Sequence, residues 1–247
     1  MTKLDVRIAN NRLVTGQFGD VRFSNWGVEC SDRRSFVTLT DIARNAHQTD
    51  GIWHLSGGRL KIDLETKLIE PDVLSIQARF TALDDIALQD AVVRLVFDRQ
   101  GIDHGVIADK KYRHTNSDKY RLHSVDHAQL TSTSGKHVLV TLKTADGAER
   151  FAPYLYLRDR DDHWIIHARF LPQEPVDHVW LRWANRFFTL SAPDCLARLL
   201  WHFGPTRHFL RRLRERMGRN WPEFQAIPLN KIRRGQSLSL EVTCHFR

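Results

Sequence analysis

The feature that most constrains this chain is a side-chain alternation of period two. Leu60-Lys61-Ile62-Asp63-Leu64-Glu65 and Leu74-Ser75-Ile76-Gln77-Ala78-Arg79-Phe80 both alternate apolar and polar residues. So do Lys136-His137-Val138-Leu139-Val140-Thr141-Leu142 and the closing run Leu238-Ser239-Leu240-Glu241-Val242-Thr243-Cys244-His245-Phe246. Trp164-Ile165-Ile166-His167-Ala168-Arg169-Phe170 follows the same rule, with Ile165 as its exception. Successive side chains on a strand point to opposite faces, so this pattern marks half-buried strands of antiparallel sheets. Gly57-Gly58, Asp98-Arg99-Gln100-Gly101, Thr133-Ser134-Gly135, Ala145-Asp146-Gly147 and Arg234-Gly235 separate such runs with turn residues, and Asp146-Gly147 reads as a hairpin. The stretch from Leu83 to Phe97 fits a helix or a strand, and the β-branched content of Val92-Val93-Arg94-Leu95-Val96-Phe97 favours strand.

Many strands joined by short turns predict a mainly β fold: one large antiparallel β-sandwich, supersandwich-like, or an open barrel. No stretch rich in Pro, Gly or Ser divides the 247 residues, which read as a single β-rich domain. One region departs from the alternation. Ser191-Ala192-Pro193-Asp194 suits a helix start, Gly204-Pro205 a break, and Gly218 a helix end, which predicts a two-helix insertion at about 191–218. In the second helix Phe209, Leu210, Leu213 and Met217 form an apolar stripe, of which Phe209, Leu213 and Met217 would pack inward, with Arg207, Arg211, Arg212, Arg214 and Arg216 around it. Read as a surface instead, that helix would meet nucleic-acid phosphates or an anionic membrane.

Composition excludes several classes. The chain carries 37 Lys+Arg against 29 Asp+Glu, a formal charge of +8, with an ordinary apolar share of 42%. The three cysteines, Cys30, Cys195 and Cys244, are scattered and odd in number, which disfavours a disulfide framework or a structural zinc site and predicts free thiols. The start Met1-Thr2-Lys3-Leu4-Asp5-Val6-Arg7 has no apolar signal core, and no run of apolar residues is long enough to span a bilayer; a soluble, cytoplasmic protein is the expectation. There is no GxSxG, Walker A, GxGxxG or HExxH motif, so nucleotide-driven, α/β-hydrolase and zincin chemistry are disfavoured. No cofactor and no metal are expected, and nucleic-acid recognition lacks a known module.

Four groups of residues carry candidate chemistry. If strands 74–80, 164–170 and 238–246 share a sheet, its polar face presents Arg79, His163, His167, Arg169, Glu241 and His245, suited to binding an anionic or polyhydroxylated ligand. The segment from Tyr112 to His123 packs Tyr112, His114 and Arg121 into a loop and strand start; Tyr112, His114 and His167 would move a proton while Arg121 and Arg169 hold an anion. Four of the thirteen histidines follow aspartate directly (His104, His127, His163 and His178), yet strand neighbours point apart, so only turns would let such pairs meet. The seven tryptophans, Trp53 at a cleft rim among them, suit sugar stacking or core filling equally.

The final strand Gly235-Gln236-Ser237-Leu238-Ser239-Leu240-Glu241-Val242, approached by Pro228-Leu229, resembles carbohydrate-handling β-sandwiches of the mutarotase-like kind over about the last twenty residues. That resemblance implies a sandwich that handles sugars and assigns no catalytic residue. The expected function is binding, or binding and chemical modification, of an acidic or polyhydroxylated ligand, a small molecule or oligosaccharide of the carbohydrate class. An enzyme of this kind would be a lyase or isomerase working by acid/base chemistry. The alternatives are a β-barrel holding an apolar molecule or lipid under a helical lid, and a nucleic-acid or membrane-surface binder using the arginine-rich helix, with peripheral membrane contact.

Overall fold

A computed structural model describes residues 3–24, 26–32, 36–38, 51–116, 120–144, 151–173, 199, 203–206, 208–209, 212 and 227–247. Strands are numbered in chain order. The first sheet runs β1 (Leu4–Ala9), β2 (Arg12–Phe18), β3 (Val21–Ser24), β10 (Asp90–Asp98), β17 (His163–Pro172), β16 (Phe151–Arg160) and β13 (Tyr120–His123). β4 (Gly27–Ser31) also pairs with β10 and carries β5 (Phe36–Thr38). The second sheet runs β12 (Lys110–Arg113), β11 (Ile102–Ile107), β14 (His127–Ser132), β15 (His137–Thr144), β19 (Ser237–Phe246), β8 (Val73–Ala82), β7 (Gly58–Glu70) and β6 (Ile52–Leu55). β9 (Ile86–Leu88) and β18 (Asn230–Ile232) form a small separate ribbon. The described ladders are antiparallel, for example β7 with β8, β8 with β19 and β10 with β17. The architecture is a mainly β sandwich.

The predicted alternation decides which side chains fill the sandwich. From β8 come Leu74, Ile76, Ala78 and Phe80; from β19, Leu238, Leu240, Val242, Cys244 and Phe246; from β10, Ala91, Val93, Leu95 and Phe97; from β17, Trp164, Ile166, Ala168 and Phe170. An aromatic cluster joins the sheets: Phe23 of β3 stacks on Trp26 at 4.8 Å and on Phe246 of β19 at 5.0 Å, and Phe246 meets Phe18 at 5.6 Å. Such pairs add roughly 0.5–1.5 kcal/mol each beyond their buried area. Gly16 faces Phe23 across the β2–β3 ladder, and a Cβ there would lie 2.1 Å from the ring, so only glycine admits this packing.

Several expectations are corrected here. The sheets keep separate edges, and the space between them is filled by side chains. Among the described residues the sheets do not close into a barrel, which counts against the lipid-barrel alternative. Residues 145–150 lie outside the described residues, but the strands beside Asp146-Gly147 do not form a hairpin: β15 pairs with β14 and β19, and β16 pairs with β13 and β17. The chain crosses between sheets at that point. Within 83–97, Ile86–Leu88 and the residues from Asp90 onward are strand, as the β-branched residues predict, while 83–85 and Gln89 are bends or irregular. Most of the helical insertion at 191–218 lies outside the described residues. Residues 199, 204–206, 208, 209 and 212 are helical, and Phe203 sits in a bend, so helix resumes at Gly204 rather than after Pro205. Proline is tolerated there because the first helical turn has no intrahelical partner for an N–H. Phe209 does not pack inward: it is 64% exposed.

The described tryptophans settle as core. Trp53 and Trp164 are fully buried and Trp26 nearly so, its indole N–H donating to the Val96 carbonyl at 3.2 Å. Trp53 therefore fills the core instead of rimming a cleft. Cys30 and Cys244 are buried free thiols whose pKa burial pushes up, which keeps them protonated and inert. Cys195 and Trp180, Trp183, Trp201 and Trp221 lie outside the described residues.

Candidate functional site

The predicted site residues divide among three places, because β17 belongs to one sheet while β8 and β19 belong to the other. Arg79, Glu241 and His245 stand on the outer face of the second sheet. There the register sets Arg79 between Asp63 and Ser239, and Glu241 between Gln77 and Lys143. Asp63, Glu65, Gln77, Arg79, Ser239 and Glu241 line a shallow depression of about 500 Å³. The ion pairs are open to water: Lys143 to Glu241 at 3.6 Å, Lys61 to Asp63 at 3.1 Å and Lys67 to Glu65 at 3.6 Å. This is the solvated polar face that an antiparallel sheet ordinarily presents.

Tyr112, His114 and Arg121 do come together, around a carboxylate that no sequence pattern singles out. Asp159 is completely buried and accepts hydrogen bonds from the Thr115 N–H at 2.6 Å, the Thr115 hydroxyl at 2.8 Å and Arg121 Nη1 at 2.9 Å. The Arg121 guanidinium lies over the Tyr112 ring, 4.6 Å from its centre. His114 packs edge-on against Trp164 at 5.3 Å. Burial holds its imidazole below the usual histidine pKa, so the neutral ring donates Nε2–H to the His163 carbonyl at 3.0 Å. With that nitrogen engaged and Nδ1 buried, His114 is locked as part of the packing. His163 itself stays half-exposed, 3.7 Å from Asp98.

His167 and Arg169 belong to the third place, the outer face of the first sheet, and here burial is the surprise. The outward residues of β4, β10, β16 and β17 are nearly as hidden as the core. Glu29 is 5% exposed, Asp90 4%, Arg158 8%, His167 8% and Arg169 5%. The register sets them in rows: Arg94 opposite His167 opposite Tyr156, and Glu29 opposite Val92 opposite Arg169 opposite Tyr154. Asp90 accepts from both the Ser31 hydroxyl and Arg169. The Arg169 guanidinium lies 4.7 Å from the centre of the Tyr156 ring, which also meets His167 at 5.8 Å. Arg94 Nη1 stands 3.2 Å from Glu29, and its side chain is 26% exposed, so it is the member of the pair that reaches outward. Arg94 Nε has no hydrogen-bond partner among the described residues. Burial raises the Glu29 pKa, and the charges of Arg94, Arg158 and Arg169 pull against that rise. Ile227 packs with Tyr154 and Leu171 beside this cluster, and Gln89 donates to the Ile227 carbonyl at 3.1 Å.

Glu29, Asp90, Arg94 and Arg158 were not legible as site residues, although a signal existed. A strand buried on both faces loses its alternation, and Val92-Val93 and Ile165-Ile166 are such lapses on neighbouring strands. Ile165, the exception to the pattern, points to this same hidden face. Two of the aspartate–histidine pairs also meet, against the expectation for strands. Asp103 bonds His104 at 2.7 Å where a register shift bends β11, and Asp126 bonds His127 at 2.8 Å where β14 begins. Asp177 and His178 lie outside the described residues. Among the described residues no group of three His, Cys, Asp or Glu is placed to hold a metal ion.

No family model matches the chain, and no curated protein matches it. Two solved structures share a distant likeness. The Slr1438 protein from Synechocystis sp. PCC 6803 is 10% identical with a TM-score of 0.39, over 76% of this chain and 54% of that one. A protein from Escherichia coli K12 assigned as an aldose 1-epimerase is 9% identical with a TM-score of 0.39, over 76% of this chain and 60% of that one. The chain therefore spans little more than half the length of these structures. Likeness this remote carries no inference about ligand or reaction.

Proposed function

We propose that the protein binds an acidic or polyhydroxylated ligand of the carbohydrate class at the outer face of the first sheet, with Arg94 as its entry contact. The observation that carries this reading is the gathering of Arg94, Arg158, Arg169, His167, Glu29 and Asp90 on one hidden sheet face. Burying charges is costly, and apolar residues of similar volume commonly stabilise a fold equally well. A plain cover for the sheet does not need these groups, whereas a site for carboxylate and hydroxyl groups does. Guanidinium forks pair with carboxylates, and the tyrosine rings offer apolar faces beside them.

The same face supplies groups for proton transfer. Glu29, whose pKa burial raises, and His167 are the titratable groups that would exchange a proton with a ligand. A carbohydrate isomerase or lyase is the reaction class these groups suit. His167 and Arg169 keep the roles the sequence predicts for them, with Glu29 added. Tyr112, His114 and Arg121 instead order the segment around Asp159.

The test is calorimetric titration with an oligogalacturonate and with its neutral counterpart, at low and high salt, on the native chain and on Arg94→Ala. Binding of the acidic sugar that survives high salt and falls at least tenfold in Arg94→Ala, in a variant that still unfolds cooperatively above the titration temperature, is the expected result. Equal affinity of the variant, or no binding of either sugar by the native chain, would overturn the assignment. Where binding is found, proton exchange or anomer interconversion followed by NMR reads out the chemistry, and Glu29→Gln should abolish it.

A further inference from the structure

The second sheet ends on a strand that is only partly covered. β6 pairs with the start of β7, Ile52 to Leu55 against Lys61 to Gly58, and the Ile62 N–H donates to the Gly51 carbonyl at 2.8 Å. The ladder stops there, since Gly51 has φ 70°, far from the extended backbone of a strand. β7 continues to Glu70 with β8 along its other side. Among the described residues nothing hydrogen-bonds to its outer edge past Ile62. In an antiparallel strand the N–H and C=O of one residue point the same way, and alternate residues point alike. Ile62 directs its groups outward, so Leu64, Thr66 and Leu68 do too. Leu68 and Ile69, at the far end of this edge, are 43% and 45% exposed. Edges that must stay single are commonly blunted by proline or a bulge, and β7 has neither between Ile62 and Leu68.

We propose that this edge takes a second copy of the chain, β7 pairing antiparallel with β7 about a twofold axis at Thr66. The sequence around Thr66 is complementary to itself. Glu65 falls opposite Lys67 of the second copy and Leu64 opposite Leu68, each twice, as a twofold contact requires. Thr66 with Thr66 and Leu64 with Leu68 are the hydrogen-bonded pairs, which satisfies the outward groups of all three residues. Glu65 and Lys67 are the closer pairs, with facing Cβ atoms about 4.5–5.5 Å apart. Moving the axis by one residue sets Glu65 against Glu65 or Lys67 against Lys67, and facing like charges repel. Charge complementarity therefore selects both the partner and the register. In the single chain Lys67 Nζ lies 3.6 Å from Glu65 along the strand and both side chains stay about half exposed, so both are open to a partner. β7 belongs to the other sheet from Arg94, so a sugar site and this dimer stand or fall separately.

The experiment is sedimentation equilibrium of the full chain at concentrations up to about 100 μM, enough to reveal a micromolar dissociation constant. The native chain should approach twice its mass of 28.8 kDa. Lys67→Glu places like charges face to face at both ends of the contact and should weaken the dimer roughly tenfold. Combining Lys67→Glu with Glu65→Lys restores opposite charges at both places and should return the dissociation constant to within about threefold of the native value. Both side chains are exposed, so the variants should keep the circular dichroism spectrum of the native chain. A native chain that stays monomeric throughout overturns the proposal. So does a dimer that Lys67→Glu leaves intact, since it must use another surface. A dimer that Lys67→Glu breaks and the double replacement does not restore overturns the register, and the twofold pairing at Thr66 with it.

Discussion

The two outer faces of the sandwich are built on the same strand geometry and have opposite fates. On the second sheet, Lys61, Asp63, Glu65, Arg79 and Lys143 stand in water and pair loosely. On the first, Glu29, Asp90, Arg158, His167 and Arg169 are hidden and tightly engaged. Exposed pairs contribute about 0–1 kcal/mol because water screens them and their long side chains must be ordered. Hidden ones have given up their hydration, so each depends on its partner, and losing that partner strands a charge. A charged row on a sheet is thus uninformative until its exposure is known.

The sharpest way to break this comparison is Asp90→Ala. It removes the acceptor of both Ser31 and Arg169 and should cost roughly 3–5 kcal/mol in urea unfolding. A loss below about 1 kcal/mol would mean that the first sheet's outer face behaves like an open surface. Next in size is the double replacement of Glu29 by Leu and Arg94 by Met. Exchanging an ion pair for apolar volume should leave stability unchanged or raise it by about 1–4 kcal/mol, while sugar binding is lost. That outcome would separate what the pair does for the fold from what it does for a ligand.

A smaller effect is expected from pH. Burial raises the Glu29 pKa above its ordinary 4.5 in the folded chain. Its contribution is fully present below that value and is lost as pH rises through the folded pKa. Glu29→Gln should therefore flatten the fall in stability above pH 4.5, measured as unfolding free energy against pH. The smallest effect belongs to the second sheet. A double-mutant cycle on Lys143 and Glu241 should give a coupling of about 0.2–1 kcal/mol that vanishes in molar salt. A coupling above that range would erase the contrast between the faces.

Much of the fold is legible in the order of residues alone. The alternation in 60–65, 74–80, 164–170 and 238–246 locates β7, β8, β17 and β19 and tells inward from outward residues on each. The candidate site is legible only in part. His167 and Arg169 are visible as polar outward residues, but their partners Glu29, Asp90, Arg94 and Arg158 lie on strands whose residues share no local motif with them. Arg121 is visible, while Asp159, the carboxylate that holds it, is not.

By itself the sequence determined the strands and, for each, its inward and outward sides, because a side-chain period of two is a local property of an extended backbone. Only the tertiary structure decided which strands share a sheet. It placed β17 apart from β8 and β19, so that residues expected on one face lie on opposite sides of the molecule. It also decided which outward face meets water. Alternation separates two faces without saying what lies against either, and that depends on contacts between residues far apart in the chain.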